Sequence, residues 1–162
     1  MYDFTPDDSA DKPTRYRELC AAAEAITAGE ADAVANMANA AAMIAAFVPG
    51  LNWAGFYRLI GTELVLGPFI GRPACIRIPL NQGVCGAVAA EARSVLVPDV
   101  HAFPGHIACD AASRSELVVP VMHNGAVIAV IDCDSPNPAH FDALDQAGLE
   151  ELARIVAPRI AA

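Results

Sequence analysis

The spacing of apolar residues in this chain changes at Pro49-Gly50, and this change constrains the fold more than any other feature. Before it, apolar side chains recur at helical intervals, and in the stretch directly after it they alternate as they do in strands. Two helices are predicted in the first part, over residues 13–28 and 32–47, and each ends beside glycine or proline. A helical layer is therefore expected to precede a sheet.

The second part predicts a run of strands with one short helix at 83–93 and a last helix at 141–156. This order predicts an α+β domain, residues 13–162, whose antiparallel sheet has helices on one side and whose residues 1–12 form a polar, flexible arm. Residues 98–115 are a long irregular segment, which is usually functional in a compact domain. The predicted strands are 51–59, 63–69, 75–79, 95–97, 116–122 and 126–134.

Charge and composition exclude several classes of function. The net charge of −9 disfavours binding to nucleic acid, because a strongly acidic domain repels phosphates. No apolar run approaches the roughly 18 residues of a membrane span, and the start of the chain lacks the features of a signal peptide. A cytoplasmic location is expected. In that compartment a group of cysteines indicates redox catalysis or metal binding more often than structural disulfides.

Four of the five cysteines lie between Gly67 and Asp134. Three of them, Cys75, Cys85 and Cys109, have Gly-, Pro- and His-rich surroundings that are typical of reactive thiols in partly exposed loops. Their spacing does not match C-x-x-C, so neither a zinc ribbon nor a thioredoxin motif is indicated. A zinc site remains an open alternative, with Cys75, Cys85, Cys109, His101 and His106 as its candidate ligands.

The cysteines differ in what their neighbours predict. Cys85 follows the predicted helix start at Gly83, where the helix dipole would lower the pKa of a thiol. Cys109 follows a loop with two imidazoles, which would favour its thiolate. Cys20 lies inside an Ala-rich helix and is interpreted as a core residue.

The strand 126–134 carries two aspartates on one face. Alternation places Asp132 and Asp134 together and turns Cys133 to the opposite face. Whether Glu116 joins them depends on the hairpin turn. A two-residue Asn124-Gly125 turn would put Glu116 opposite Cys133, whereas a three-residue turn with Gly125 in the left-handed conformation would pair it with Asp132. The three-residue turn is predicted, because it gathers all three carboxylates.

Three neighbouring carboxylates repel each other, so a raised pKa or a bound cation is expected. One alternative is a solvated sheet end, and another is a divalent metal site, although hard cations usually need more oxygens than this hairpin offers. The favoured interpretation is a pocket for an ammonium group in which one protonated carboxyl acts as an acid. Trp53 and Tyr57 share a strand face and could wall this pocket; core packing is the alternative role for Trp53.

A series of motifs in a fixed order makes the chain similar to the free methionine-(R)-sulfoxide reductases, a family built on the GAF domain. The resemblance covers nearly the whole chain beyond the N-terminal arm. The motifs are Asn52-Trp53-Ala54-Gly55-Phe56-Tyr57, Gly67-Pro68-Phe69, Pro73-Ala74-Cys75-Ile76-Arg77-Ile78, Gly83-Val84-Cys85-Gly86, Val97-Pro98-Asp99-Val100-His101, Phe103-Pro104-Gly105-His106-Ile107-Ala108-Cys109-Asp110, Ser115-Glu116 and Ile131-Asp132-Cys133-Asp134-Ser135.

The resemblance implies a six-stranded antiparallel sheet flanked by helices, a homodimer, and reduction of free L-methionine-(R)-sulfoxide without a metal or organic cofactor. It makes Cys109 the nucleophile, Cys75 the resolving thiol and Cys85 a third participating cysteine, with the attacking role open between Cys109 and Cys85. Cys133 departs from the expected aliphatic residue and is interpreted as core. The substrate-binding residues would be Trp53, Tyr57, Glu116, Asp132 and Asp134.

The chemistry implied by the resemblance is thiol-dependent. A thiolate attacks the protonated sulfoxide, methionine leaves, and the resulting sulfenic acid condenses with a second thiol to a disulfide. A dithiol, thioredoxin by resemblance, then restores the enzyme by exchange. Two other classes of function stay open: a non-catalytic GAF module that senses a small molecule or redox state, and a zinc-stabilised interaction protein.

Overall fold

The described part of the chain forms eleven elements, with helices at both ends and strands between them. The computed structural model describes residues 4–7, 9–105 and 111–161. The α+β class predicted from the order of the elements is confirmed. The elements are α1 Lys12–Thr27, α2 Ala33–Phe47, β1 Trp53–Ile60, β2 Glu63–Ile70, β3 Arg77–Pro79, α3 Gly83–Glu91, β4 Val95–Val97, a 3-10 turn Val100–Ala102, β5 Ser115–His123, β6 Ala126–Ser135 and α4 Ala143–Ile160.

Aspartate side chains begin the three long helices. Asp11 accepts a hydrogen bond from the Thr14 amide, and Asp32 caps α2 in the same way. Asp142 starts α4 with a reciprocal capping box. These caps place the starts of α1 and α2 within one residue of the sequence prediction. No helix within the described part of the chain is long and apolar enough to cross a membrane.

The six strands form one antiparallel sheet in the order β3-β2-β1-β6-β5-β4, as the family resemblance implied. The four long strands β2, β1, β6 and β5 lie in the middle, and the three-residue strands β3 and β4 form the edges. Side chains of the central strands therefore meet a packed layer on both faces of the sheet.

The helices cover both faces of the sheet, so the prediction of helices on one side is wrong. Helices α1, α2 and α4 pack on one face with Phe56, Leu117 and Ile131. Helix α3 packs on the other face, where Val88 lies against Tyr57 and Val118. The reason is topological: α3 connects β3 and β4, which are opposite edges of the sheet, and the three long helices already occupy the first face. We call the side that carries α3 the α3 face.

Helix α4 is buried along one side that includes Leu149 and Leu152. Leu144, an apolar residue of its first turn, exposes 51% of its surface. The buried residue of the first turn is Asp145, which accepts a hydrogen bond from the Tyr16 hydroxyl at 3.0 Å and pairs with Lys12. These polar partners turn Asp145 inward, and Leu144 consequently faces outward.

Candidate active site

The turn between β5 and β6 has two residues, not the three that were predicted. His123 pairs with Ala126 around Asn124 and Gly125, whose φ angles of 50° and 79° are typical of a type I′ turn. A β-bulge then adds Ile128 to β6 between two pairings, Val121 with Ala129 and Met122 with Val127. The bulge shifts the register by one residue and so reverses the effect of the shorter turn on every residue beyond it.

The shifted register brings the three carboxylates to one face of the sheet. Glu116 lies directly opposite Asp134 instead of the predicted Asp132, which pairs with Val118. The three carboxylates therefore share the α3 face, as expected, but through a different pairing. Cys133 points into the opposite layer beneath the long helices, and its predicted core role agrees with its complete burial there.

These carboxylates are buried, which contradicts the alternative of a solvated sheet end. Glu116, Asp132 and Asp134 expose 6%, 7% and 8% of their surfaces. Burial, together with repulsion from both aspartates, raises the pKa of Glu116 well above its usual range. Burial also raises the pKa of Asp132 to about 7, although a hydrogen bond from the Cys85 thiol opposes the rise. The cluster therefore holds protons at a pH at which exposed carboxyls are ionised.

Cys85 lies directly against the carboxylates. It is 4% exposed on α3, and its sulfur and the oxygens of Glu116 and Asp132 all lie within 4.8 Å of one another. Burial is the main cause of a pKa well above the usual range of a thiol, followed by repulsion from Asp132 and Glu116. The prediction that the helix start lowers this pKa is wrong, because desolvation and two acidic neighbours outweigh the dipole.

The remaining cysteines occupy different positions. Cys75 is half-buried before β3 and packs against the same layer as Cys85, whereas Cys20 is buried on α1 where that helix packs against α4. Cys20, Cys85 and Cys133 are free thiols. Cys109 and His106 lie outside the described residues. His101 is exposed on the 3-10 turn and joins no cluster of possible metal ligands within the described ranges.

Aromatic rings form a wall on the same face as the carboxylates. Trp53 stacks on Tyr57 at a centroid distance of 5.9 Å and on Phe69 at 5.3 Å. The indole Nε1 donates to the carbonyl oxygen of Arg72 at 3.1 Å, which fixes the ring. Phe69 is a residue of this wall that was not predicted from the sequence. Phe69 lies opposite Gly55 in the β1–β2 pair, and a glycine at that position leaves room for a neighbouring ring. Gly55 is therefore the feature of the sequence that could have indicated a role for Phe69.

Gly55 is required by this aromatic wall. A Cβ atom there would lie 2.4 Å from the Cβ of Phe69 and 2.8 Å from the Trp53 ring. We expect Gly55→Ala to lower the free energy of unfolding by about 3 kcal/mol, because strand atoms and a packed ring must both move. Gly61→Ala is the control: its φ is +64° and no atom lies within 4 Å, so it should cost only about 1 kcal/mol. Equal losses in urea titrations would contradict this account of the wall.

The raised pKa of Asp132 gives stability a defined pH dependence. Its folded-state pKa of about 7 exceeds the ordinary value of 3.8, so the folded protein binds more protons between these values. Stability should therefore fall as pH rises from about 4 to about 7, by up to about 4 kcal/mol from this group. Asp132→Asn should flatten the profile measured by urea unfolding. Parallel profiles for the two proteins would show that Asp132 does not cause the slope.

Hydrogen bonds tie the irregular segment to the pocket edge. The Asn52 side chain donates to the Ser113 hydroxyl at 3.1 Å, while its backbone amide donates to the carbonyl oxygen of Asp134. The Val100 amide donates to the carbonyl oxygen of Arg114 at 2.9 Å. The two described ends of the segment therefore meet beside the carboxylates, although they are far apart in sequence.

Comparison with known proteins identifies the family. The GAF domain family model matches residues 22–160. The chain is 44% identical to the free methionine-R-sulfoxide reductase of Escherichia coli over 85% of this chain and 83% of that protein. It is 40% identical to the enzyme of the same name from Saccharomyces cerevisiae, over 86% and 82% of the two chains.

Solved structures give the same relationship. The free methionine-R-sulfoxide reductase of Neisseria meningitidis, in complex with its substrate, superposes with a TM-score of 0.94 at 44% identity. That match covers 99% of this chain and 96% of the other. The motifs, the sheet and these relatives agree, and the chain belongs to the free methionine-R-sulfoxide reductase family of GAF domain enzymes.

Proposed function

We propose that this chain reduces free L-methionine-(R)-sulfoxide to methionine and uses a dithiol as the electron donor. The observation that carries the proposal is the burial of three carboxylates beside a thiol and an aromatic wall on one face of the sheet. The named activity of the bacterial and yeast relatives supports it. No cofactor is needed, because the thiols supply both electrons.

Two parts of the pocket bind the substrate in this proposal: the carboxyl groups bind its ammonium group, and the aromatic rings contact its methyl end. A free amino acid carries an ammonium group, and the buried carboxyl groups of Asp132 and Asp134 can bind it in a low-dielectric site. Trp53 and Tyr57 line the methyl and sulfoxide end, where stacked rings accept an apolar methyl group. A methionine sulfoxide inside a peptide has no ammonium group, so the proposal predicts preference for the free amino acid.

Glu116 is the proposed proton donor. Burial and repulsion from both aspartates raise its pKa well above its usual range. The cluster therefore keeps a proton near neutral pH, and we assign the transferred proton to Glu116. A buried protonated carboxyl is a suitable acid for the sulfoxide oxygen, which must be protonated before the sulfur becomes a good electrophile.

Cys109 is the proposed attacking thiol. The thiolate is the reactive form of cysteine, and Cys85 is held as a thiol because burial and its acidic neighbours raise its pKa. This disfavours Cys85 as the first nucleophile and supports the role that the family resemblance gives Cys109. Cys85 remains close enough to the carboxylates to take part in later thiol chemistry.

The proposed reaction balances in three steps. The Cys109 thiolate attacks the sulfoxide sulfur, Glu116 protonates the oxygen, and the oxygen moves to Cys109 as a sulfenic acid while methionine leaves. The Cys75 thiol then attacks this sulfenic acid, which forms a disulfide and releases water. An external dithiol reduces the disulfide and becomes oxidised itself.

The proposed partners follow from the same scheme. A thioredoxin-type protein is the proposed reductant, and the half-buried position of Cys75 supports its access to a disulfide that includes this residue. A homodimer and a cytoplasmic location are proposed from the family resemblance and the sequence. Residues 1–12 are proposed to be an arm outside a single catalytic domain, 13–162.

Incubation with each sulfoxide epimer and a dithiol tests the proposed function. Methionine should form from the free R epimer and not from the S epimer or from an internal peptide sulfoxide. Heat-denatured protein controls for reduction by the dithiol alone. Binding of the free R epimer without formation of methionine would instead support a non-catalytic GAF sensor.

A further inference from the structure

The pocket combines donor atoms that a metal ion requires, and the reductase reaction requires none. The Cys85 sulfur and the oxygens of Glu116 and Asp132 come from α3, β5 and β6, three separate elements of the fold. These atoms lie within 4.8 Å of one another, and all three residues are buried. Each donor is fixed by its own packed element, so the group is held together without a ligand.

A second observation points to a cation at this site. Asp132 is more than nine-tenths buried, and its Oδ1 atom has no hydrogen-bond partner among the described residues. A buried carboxylate oxygen without a partner loses the hydration that it has in water. A cation shared with Glu116 would restore that interaction and remove the repulsion between the two carboxylates.

We propose that Cys85, Glu116 and Asp132 bind a thiophilic divalent cation, Zn²⁺, which blocks the pocket and reversibly inhibits the enzyme. Mg²⁺ and Ca²⁺ are disfavoured, because they take oxygen ligands and avoid sulfur. Zn²⁺ accepts sulfur and carboxylate oxygen together, with three protein ligands and a water in the fourth position.

The required movement is small. Bond lengths of about 2.0–2.3 Å place tetrahedral ligand atoms about 3.5 Å apart, so the side chains must close by at most about 1.3 Å. Binding replaces the thiol proton of Cys85 with a sulfur–zinc bond and releases that proton, with any proton on Glu116, to solvent. No atom is oxidised or reduced.

The inhibition follows from the overlap of two ligands. The ion would occupy the carboxylate position that the substrate ammonium group uses, a consequence that rests on the proposed function. Zn²⁺ should therefore raise the KM for the free sulfoxide and leave kcat unchanged, and a chelator should restore activity. Metal binding itself depends only on the geometry of the three side chains.

Titration with Cd²⁺ tests the site directly, because a cadmium–thiolate bond absorbs in the ultraviolet. The full-length protein, reduced and freed of reductant without air, should bind one equivalent that Zn²⁺ displaces. Cys85→Ser should remove the band, and Asp132→Asn should weaken binding at least about 100-fold, since loss of an outer partner alone costs about 10–100-fold. Cys20→Ser makes the same exchange at a buried cysteine in the other layer. It should change neither the absorption band nor the affinity for Cd²⁺.

The proposal is overturned if the band persists in Cys85→Ser, or if it is absent from the parent protein. It is also overturned if Asp132→Asn binds as tightly as the parent. Circular dichroism confirms that each variant is folded, and Asp132→Asn keeps the test decisive should Cys85→Ser unfold. A cadmium–thiolate band that is lost in Cys85→Ser, without competitive inhibition by Zn²⁺, would support the metal site. The same result would refute the proposal that the ion inhibits by overlapping the substrate.

Discussion

Replacing Cys109 with serine is expected to lower turnover of free methionine-(R)-sulfoxide by at least about a thousandfold. Serine keeps the shape of the side chain, but its hydroxyl is not ionised near neutral pH and cannot replace a thiolate at the sulfoxide sulfur. Cys85 cannot take over efficiently, because burial and its acidic neighbours raise its pKa. The measurement is the rate of methionine formation with an excess of dithiol.

Two other cysteine variants separate attack from recycling. Without external reductant, the parent and Cys75→Ser should each form about one methionine per chain, but Cys75→Ser should leave Cys109 as a sulfenic acid because the resolving thiol is missing. Cys20→Ser should behave as the parent does, since Cys20 packs between α1 and α4 in the other layer. Persistent turnover in Cys109→Ser would transfer the attacking role to Cys85.

Glu116→Gln is expected to lower kcat by about 10²–10⁴-fold, the usual contribution of a general acid. The amide retains the size of the side chain but has no acidic proton to give to the sulfoxide oxygen. Because Glu116 is the carboxyl that both aspartates repel, neither neighbour should replace it fully. The measurement is kcat and KM for the free R epimer across neutral and alkaline pH.

Asp134→Asn is the matched control for this prediction. It removes a charge from the residue directly opposite Glu116 and should mainly raise KM, because Asp134 is proposed to bind the ammonium group. In the parent, kcat should fall at alkaline pH as Glu116 ionises, and Glu116→Gln should lack this decline. A raised KM with unchanged kcat in Glu116→Gln would show that Glu116 binds substrate without donating the proton.

The sequence predicted the elements well because local signals define them. Aspartate caps, Pro49-Gly50 and alternating apolar residues are properties of neighbours in the chain, and they placed the helices and central strands within a few residues. The clustering of the carboxylates was predicted for the wrong reason. The turn was two residues long, and the bulge at Ile128, which no local pattern indicated, returned Glu116 to the α3 face.

Features set by distant contacts could not be read from the sequence. The side of the sheet that α3 covers depends on β3 and β4 being opposite edges, which is a property of the whole topology. That placement buries Cys85 against Glu116 and Asp132 and reverses the predicted direction of its pKa shift. The stacking of Phe69 on Trp53 also depends on strand pairing.

Burial of the acidic cluster links catalysis to stability. The environment that keeps a proton on Glu116 also makes ionisation of Asp132 unfavourable, so stability decreases as pH rises toward neutrality. Catalytic sites often retain such unfavourable interactions because they prepare the chemistry. Here the packed sheet and the two hydrophobic layers hold the cluster in place.

Disulfide mapping after a single turnover tests whether Cys109 is the attacking thiol and Cys75 its resolving partner. The reduced protein is mixed with one equivalent of free methionine-(R)-sulfoxide without dithiol, quenched by alkylation and analysed by peptide mass spectrometry. We expect one equivalent of methionine and a new disulfide between Cys109 and Cys75, whereas Cys20 and Cys133 should be alkylated only after the protein is unfolded. Methionine formation that leaves Cys109 as a free, unmodified thiol would contradict this assignment.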